Sequence, residues 1–200
     1  MTIEATPGAL GSNAGLCFTH PKRADDGERR MELHGLDTET HVFFYEQDFY
    51  VLSNFSAFNL EWEGLVFPTS EHAYHWEKFG IEGEWVSDDA ADVLHAIHSA
   101  PSAHEAFKIA ERNKHLRRPD WDAVKVEKMR GILRAKADQH EYVRRKLLAT
   151  GDRALVENSW RDDFWGWGAD GCGHNMLGKL WMEVRAELRA AAEVPAAMTA

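Results

Sequence analysis

From Thr69 onward, apolar residues recur at helical spacing in successive segments, with Gly or Pro at most of the boundaries. Strand-like composition is confined to the preceding stretch, in HVFFYE, FYVLSNF and FNLEWEGLVF. A chain patterned in this way must bury its apolar stripes mainly helix against helix. The expected fold is therefore mainly α, a compact multihelical single domain with a small β-hairpin near its N-terminal part. In that hairpin Phe58, Leu60 and Trp62 alternate with polar residues, and Glu63-Gly64 supplies the turn. The spacing predicts helices over 69–79, 86–99, 101–112, 121–140, 141–149 and 175–192. Asp120 is the expected cap of the fourth, and Gly131 weakens its continuity.

Residues 1–40 lack sustained periodicity and read as an extension or loosely attached arm, with 41–192 as the domain and 193–200 as a tail. No apolar run approaches the ~20 residues of a membrane span, and no signal-peptide pattern opens the chain. The two cysteines, Cys17 and Cys172, make a disulfide framework unexpected and a reducing cytoplasm the default location. A net charge of −10 argues against a generic nucleic-acid binder. Within 108–146, however, 13 Lys/Arg face 6 Asp/Glu, either a solvated helical face or a surface for a phosphorylated ligand.

The stretch FPTSEHAYHWEKF (67–79) concentrates the chemical questions. His72 and His75 lack the H-E-x-x-H spacing and accompanying ligands of a metal site, so no metal is expected and both read as surface or core histidines. Glu71 falls in the first helical turn, where free N–H groups favour an anion; that makes it either a catalytic carboxylate or an ordinary dipole-stabilised acid. Lys78 returns to nearly the same face, giving a stripe of Glu71, Tyr74 or His75, and Lys78. Trp121 and Lys125 stand one turn apart on the fourth helix. RDDFWGWGADGCGHN is a glycine-rich loop before a helix N-terminus, with Trp165 and Trp167 available to stack on a base or to plug the core. It matches neither a Walker loop nor a dinucleotide fingerprint.

LSNF (52–55), PTSEH (68–72), KF (78–79), DWDAVK (120–125), LRAK (133–136), LLATG (147–151), LVE (155–157), WGWG (165–168) and NMLG (175–178) occur in an order that resembles the NADAR, or YbiA-like, N-glycosidase family over residues 42–189. The resemblance implies cleavage of a C–N bond between ribose and a nitrogen heterocycle, without a cofactor. Early phosphorylated amino-pyrimidines of riboflavin synthesis are the first expected substrate and ADP-ribosylated guanine in nucleic acid the alternative. A non-catalytic NAD or ADP-ribose binding module is a further alternative. The family's catalytic glutamate falls on Glu71, its following lysine on Lys78, and its site tryptophans on Trp121 and Trp165. Glu157 and Asp162 match acidic positions. Ser53, Asn54, Phe55, Gly166, Gly168 and Asn175 are expected substrate contacts, and Lys125 and Arg117 expected phosphate contacts. Residues 80–112 depart from the family in length and sequence, and the N-terminal arm has no counterpart in the minimal domain.

Overall fold

A computed structural model describes residues 36–45, 48–80 and 86–193; nearly all of the expected arm and tail lies outside them. The elements, in order, are β1 (His41–Phe44), β2 (Leu60–Trp62), β3 (Leu65–Phe67), α1 (Ser70–Trp76), α2 (Asp88–His98), α3 (Ala103–Arg112), α4 (Trp121–Gln139), α5 (Glu141–Ala149), β4 (Ala154–Glu157) and α6 (Met176–Glu193). All six expected helices form. Their starts follow local chemistry: Thr69, Ser87 and Ser102 accept hydrogen bonds from the backbone N–H three residues on. Asp120 departs from expectation. It precedes α4, but its carboxylate accepts from the Arg118 guanidinium (2.6 and 2.8 Å) instead of capping.

The hairpin pairs Leu60–Trp62 with Leu65–Phe67, and its turn holds Glu63 and Gly64 at φ 49° and 75°. FYVLSNF is not a strand; Tyr50–Leu52 form a 3-10 turn that buries Val51 and Leu52. A second sheet was not expected: β1 runs parallel to β4, with Phe44 opposite Glu157. The main core collects Val42, Phe44, Leu60, Phe67, Ile132, Leu133, Leu155, Leu180 and Trp181 around α4 and α6. Phe79, Val93, Ile97, Ala100, Ala106 and Ala110 form a separate smaller core beneath α2 and α3. α1 lies between the two cores and packs on both α3 and α4.

Gly131 does not interrupt α4. A Cβ there would lie 2.5 Å from Cη2 of Trp62, so the missing side chain lets the hairpin indole rest on the helix. Among the described residues no helix is long and apolar enough to cross a membrane.

Candidate active site

α1 places its first-turn carboxylate inside the protein. Thr69 caps the helix, and the Glu71 N–H donates to the Asn54 carbonyl (3.1 Å), so the LSNF turn lies against the helix start. Glu71 is 8% exposed. Its Oε1 is 2.7 Å from His75 Nε2, one turn on. Burial holds the His75 pKa below its ordinary value, which makes the ring neutral at pH 7. The hydrogen-bond network then puts the proton on Nε2, donating to Glu71, and leaves Nδ1 without a hydrogen-bond partner among the described residues. His72 is also buried and staples the helix: the Thr69 hydroxyl meets its Nδ1 (2.8 Å) and its Nε2 donates to Ala100 O (3.1 Å). Among the described residues no group of three or more His, Cys, Asp or Glu is arranged to hold a metal ion.

Tyr74 organises the aromatic part of the site. Its ring centroid lies 5.0 Å from that of the buried Trp121 and 5.4 Å from that of Trp165, the latter at 85°. The Trp165 indole N–H donates to the Tyr74 oxygen (3.1 Å). Burial raises the Tyr74 pKa, so the phenol stays protonated at neutral pH. Lys78 reaches the same cluster, with Nζ 5.1 Å from the Tyr74 ring centroid and 3.9 Å from Glu111 Oε1. Its position differs from the expected continuous helix. α1 ends at Trp76, and Lys78 sits in a tightened turn closed by its N–H on His75 O (3.3 Å). Burial lowers the Lys78 pKa, while Glu71 and Glu111 pull it back up.

The glycine-rich loop positions Trp165 from the opposite side. Asp162 Oδ1 accepts from the N–H groups of Phe164 (2.9 Å) and Trp165 (2.8 Å). Much of the loop backbone is engaged internally. The N–H groups of Trp167, Gly168, Gly173, His174, Asn175, Met176 and Leu177 are satisfied by carbonyls of Glu157 or of the loop itself. Gly166 serves this folding-back, since a Cβ would come within 2.8 Å of Ser159. Gly168 adopts φ 73°, which favours glycine. Asn175 braces the loop: Oδ1 accepts from Glu157 N–H (2.9 Å) and Nδ2 donates to Leu155 O (2.8 Å). Cys172, in the same loop, has its backbone N–H on Asp170 Oδ1 (2.9 Å).

β4 ends at Glu157, whose carboxyl is buried and has Oε2 without a partner among the described residues. Burial pushes its pKa well above the ordinary range, and the negative charges of Glu71 and Asp162 add to that. Lys136, on α4, is fully buried. Its ammonium donates to Ser53 O (2.9 Å) and Ser56 Oγ (2.7 Å), and burial lowers its pKa to about 7. Asn54 donates to the Met129 sulfur (3.4 Å) and leaves Oδ1 without a partner among the described residues, while Phe55 is exposed.

Arg117 and Lys125 lie at the outer edge. Both donate to Asp122 (3.1 Å each), and Lys125 Nζ sits 4.3 Å from the Phe164 ring centroid. The fold thus gathers Glu71, Lys78, Trp121, Trp165, Glu157 and Asp162, leaves Arg117 and Lys125 at the rim, and uses Asn175, Gly166 and Gly168 within the loop. Sequence reasoning gave no role to Lys136, Phe107 or Glu111, and left Tyr74 and His75 as interchangeable members of a stripe. Phe107 and Glu111 come from α3, where Phe107 packs 5.7 Å from the His75 ring.

The NADAR domain model matches residues 43–189. The chain belongs to the NADAR domain family. An N-glycosidase of Nostoc punctiforme is 38% identical over 150 residues, covering 74% of this chain and 92% of that protein. The N-glycosidase YbiA of Escherichia coli is 36% identical over 162 residues, covering 80% and 96%. A riboflavin biosynthesis protein of Vibrio vulnificus is 37% identical over 153 residues, which make up 76% of this chain but only 39% of that longer protein. The NMR structure of YbiA superposes with a TM-score of 0.68 at 32% identity, covering 85% of this chain and 96% of that one. The fold and enzyme class implied by the sequence motifs therefore hold: this is a NADAR-family enzyme of the N-glycosidase class.

Proposed function

We propose that the enzyme hydrolyses the bond between a phosphorylated ribose and an amino-substituted pyrimidine of the kind formed early in riboflavin synthesis. What supports this is the Glu71 carboxylate, buried yet engaged among the described residues by one neutral side chain, His75, beside the Tyr74–Trp121–Trp165 aromatic cluster. The Vibrio relative's name and the overall negative charge favour a small substrate over one carried on a polynucleotide.

As the base departs, positive charge builds on C1′ and the ring oxygen. A fixed carboxylate stabilises that charge more in the transition state than in the ground state. Glu71 supplies it and then takes the proton of the water that adds to C1′. His75 holds the carboxylate in place. Trp165 offers a face for the heterocycle, its ring angle fixed by Tyr74 and Asp162. Arg117 and Lys125 exchange Asp122 for the substrate phosphate. Lys78 acts first through its charge. In a second route its amine displaces the base at C1′ and forms a Schiff base after ring opening, which water then cleaves.

The test offers purified protein a ribosylamino-pyrimidine phosphate and ADP-ribosylated guanine in DNA, then assays released ribose 5-phosphate and ADP-ribose. Ribose 5-phosphate from the first substrate is the expected result. Release of ADP-ribose alone transfers the reading to the second substrate, and release of neither overturns it. Borohydride during turnover separates the two roles of Lys78: an adduct on that residue establishes the covalent route.

A further inference from the structure

The mechanism above uses one carboxylate, yet the site contains a second in a different state. Glu157 closes β4, is 7% exposed, and has Oε2 unpartnered among the described residues. A buried polar atom left in that condition costs stability, so its retention needs a reason. The charged groups acting on this side chain come from three elements: Glu71 on α1, Asp162 in the glycine loop and Lys136 on α4. Two of the three are negative. The third, Lys136, has both of its hydrogen bonds on Ser53 and Ser56, with none to the Glu157 carboxyl. Meanwhile the Glu157 backbone N–H is tied to Asn175, which fixes the strand end that carries the side chain.

One site therefore holds two carboxyl groups whose surroundings differ in kind. Glu71 accepts a hydrogen bond from a neutral imidazole. Glu157 has no donor on Oε2 and faces two anions. Two carboxyls in surroundings that differ in this way suit opposite proton-transfer tasks. The missing task is clear from the chemistry: an amine or ring nitrogen leaving C1′ with the bonding pair is a poor leaving group unless it receives a proton.

We propose that Glu157 is the general acid that protonates the departing heterocycle nitrogen. The proposal rests on the N-glycosidase reading given above. As the C1′–N bond breaks, its electron pair goes to nitrogen and the Glu157 O–H proton follows, leaving a Glu157 carboxylate. Water adds to C1′ and gives its proton to Glu71. Once product leaves, the Glu71 proton passes through solvent back to Glu157, and the enzyme is restored with no net change. Lys136, in its protonated form, offsets the transient Glu157 charge. In the resting enzyme, burial and the neighbouring anions push the Glu157 carboxyl towards its protonated form.

The test compares two leaving groups. One substrate carries the ribosylamino-pyrimidine; the other is p-nitrophenyl ribofuranoside 5-phosphate, whose nitrophenolate needs no proton to depart. Glu157→Gln is expected to lower kcat/KM on the first by about 10²–10³-fold and on the second by less than about tenfold. Equal losses on both, with the folded state intact by circular dichroism, or wild-type turnover on both, overturn the proposal. Wild-type pH profiles give a second readout that requires no variant. An alkaline decline in kcat confined to the amino-linked substrate is expected, and the same decline with both substrates counts against an acid at Glu157. The fate of the underlying reading is separable: it fails if wild-type enzyme cleaves neither compound, whereas the Glu157 assignment fails with wild-type activity intact.

Discussion

The two ends of α1 each carry a buried glutamate, and the two are treated differently. Glu77, just past the helix, is fully engaged. Its Oε1 accepts from the Trp62 indole (2.6 Å) and Lys128 (3.1 Å), while Oε2 lies 3.0 Å from Lys128 and 3.9 Å from Arg118. Glu71, six residues earlier, has one neutral imidazole, and among the described residues no Lys or Arg forms an ion pair with it. A carboxylate surrounded by donors and cations holds hairpin, helix and connecting loop together. One with a single orienting partner has bonding capacity left for something the protein does not contain. Burial is common to both glutamates, so on the function proposed above it is the open bonding capacity of Glu71 that sets it apart.

The sharpest way to break this contrast is to exchange charge for amide at the front end. Glu71→Gln keeps the shape and a hydrogen-bonding oxygen, so kcat should fall on the order of 10³-fold. Stability should move by less than about 1 kcal/mol. Wild-type turnover in the folded variant would remove Glu71 from the chemistry. At the other end, Glu77→Ala should show the reverse pattern. Lys128 and the Trp62 N–H lose a buried partner, at a cost of about 3 kcal/mol in urea denaturation, while turnover of the folded fraction stays within a few-fold. A kcat loss matching that of Glu71→Gln would erase the distinction.

Lys136 extends the comparison with a smaller effect. Its folded-state pKa is about 7, below the ordinary lysine value. Between about pH 7 and 10 the unfolded chain holds a proton that the folded protein has released, so this group makes stability rise with pH. The slope is at most about 1.4 kcal/mol per pH unit. Lys136→Met should remove that rise from the denaturation profile; an unchanged slope would mean that the ammonium keeps its proton throughout.

All six helices were legible because Ser, Thr, Pro and Gly mark their ends and the intervening apolar residues keep one period. The β1–β4 pair was not. Ala154–Glu157 is four residues long, too short for periodicity to register, and its partner lies more than a hundred residues away in sequence. FYVLSNF misled for a related reason: its aromatic and branched residues suit a strand, yet the fold uses Leu52 and Ser53 as a turn tied to Trp181 and Lys136. At the site, helical spacing alone put Glu71 and Lys78 on one stripe, and only the resemblance gave them chemistry. Tyr74 stood on that stripe, but nothing local showed that two distant tryptophans meet its ring. The loop glycines mark a turn in the sequence, and a contact such as Gly166 with Ser159 becomes visible only after folding.

The separate apolar core beneath α2 and α3 has a consequence for how this enzyme can change. Those helices fall within residues 80–112, the stretch expected from sequence to depart from the family pattern, and α3 brings Phe107 and Glu111 up to His75 and Lys78. The two helices share that core with Trp76 and Phe79 at and just past the end of α1, and α3 packs directly on α1, so a change in the pair reaches the helix that carries Glu71. Remodelling this helical pair would therefore reshape the wall beside His75 and Lys78 and shift the seat of α1 in the same step.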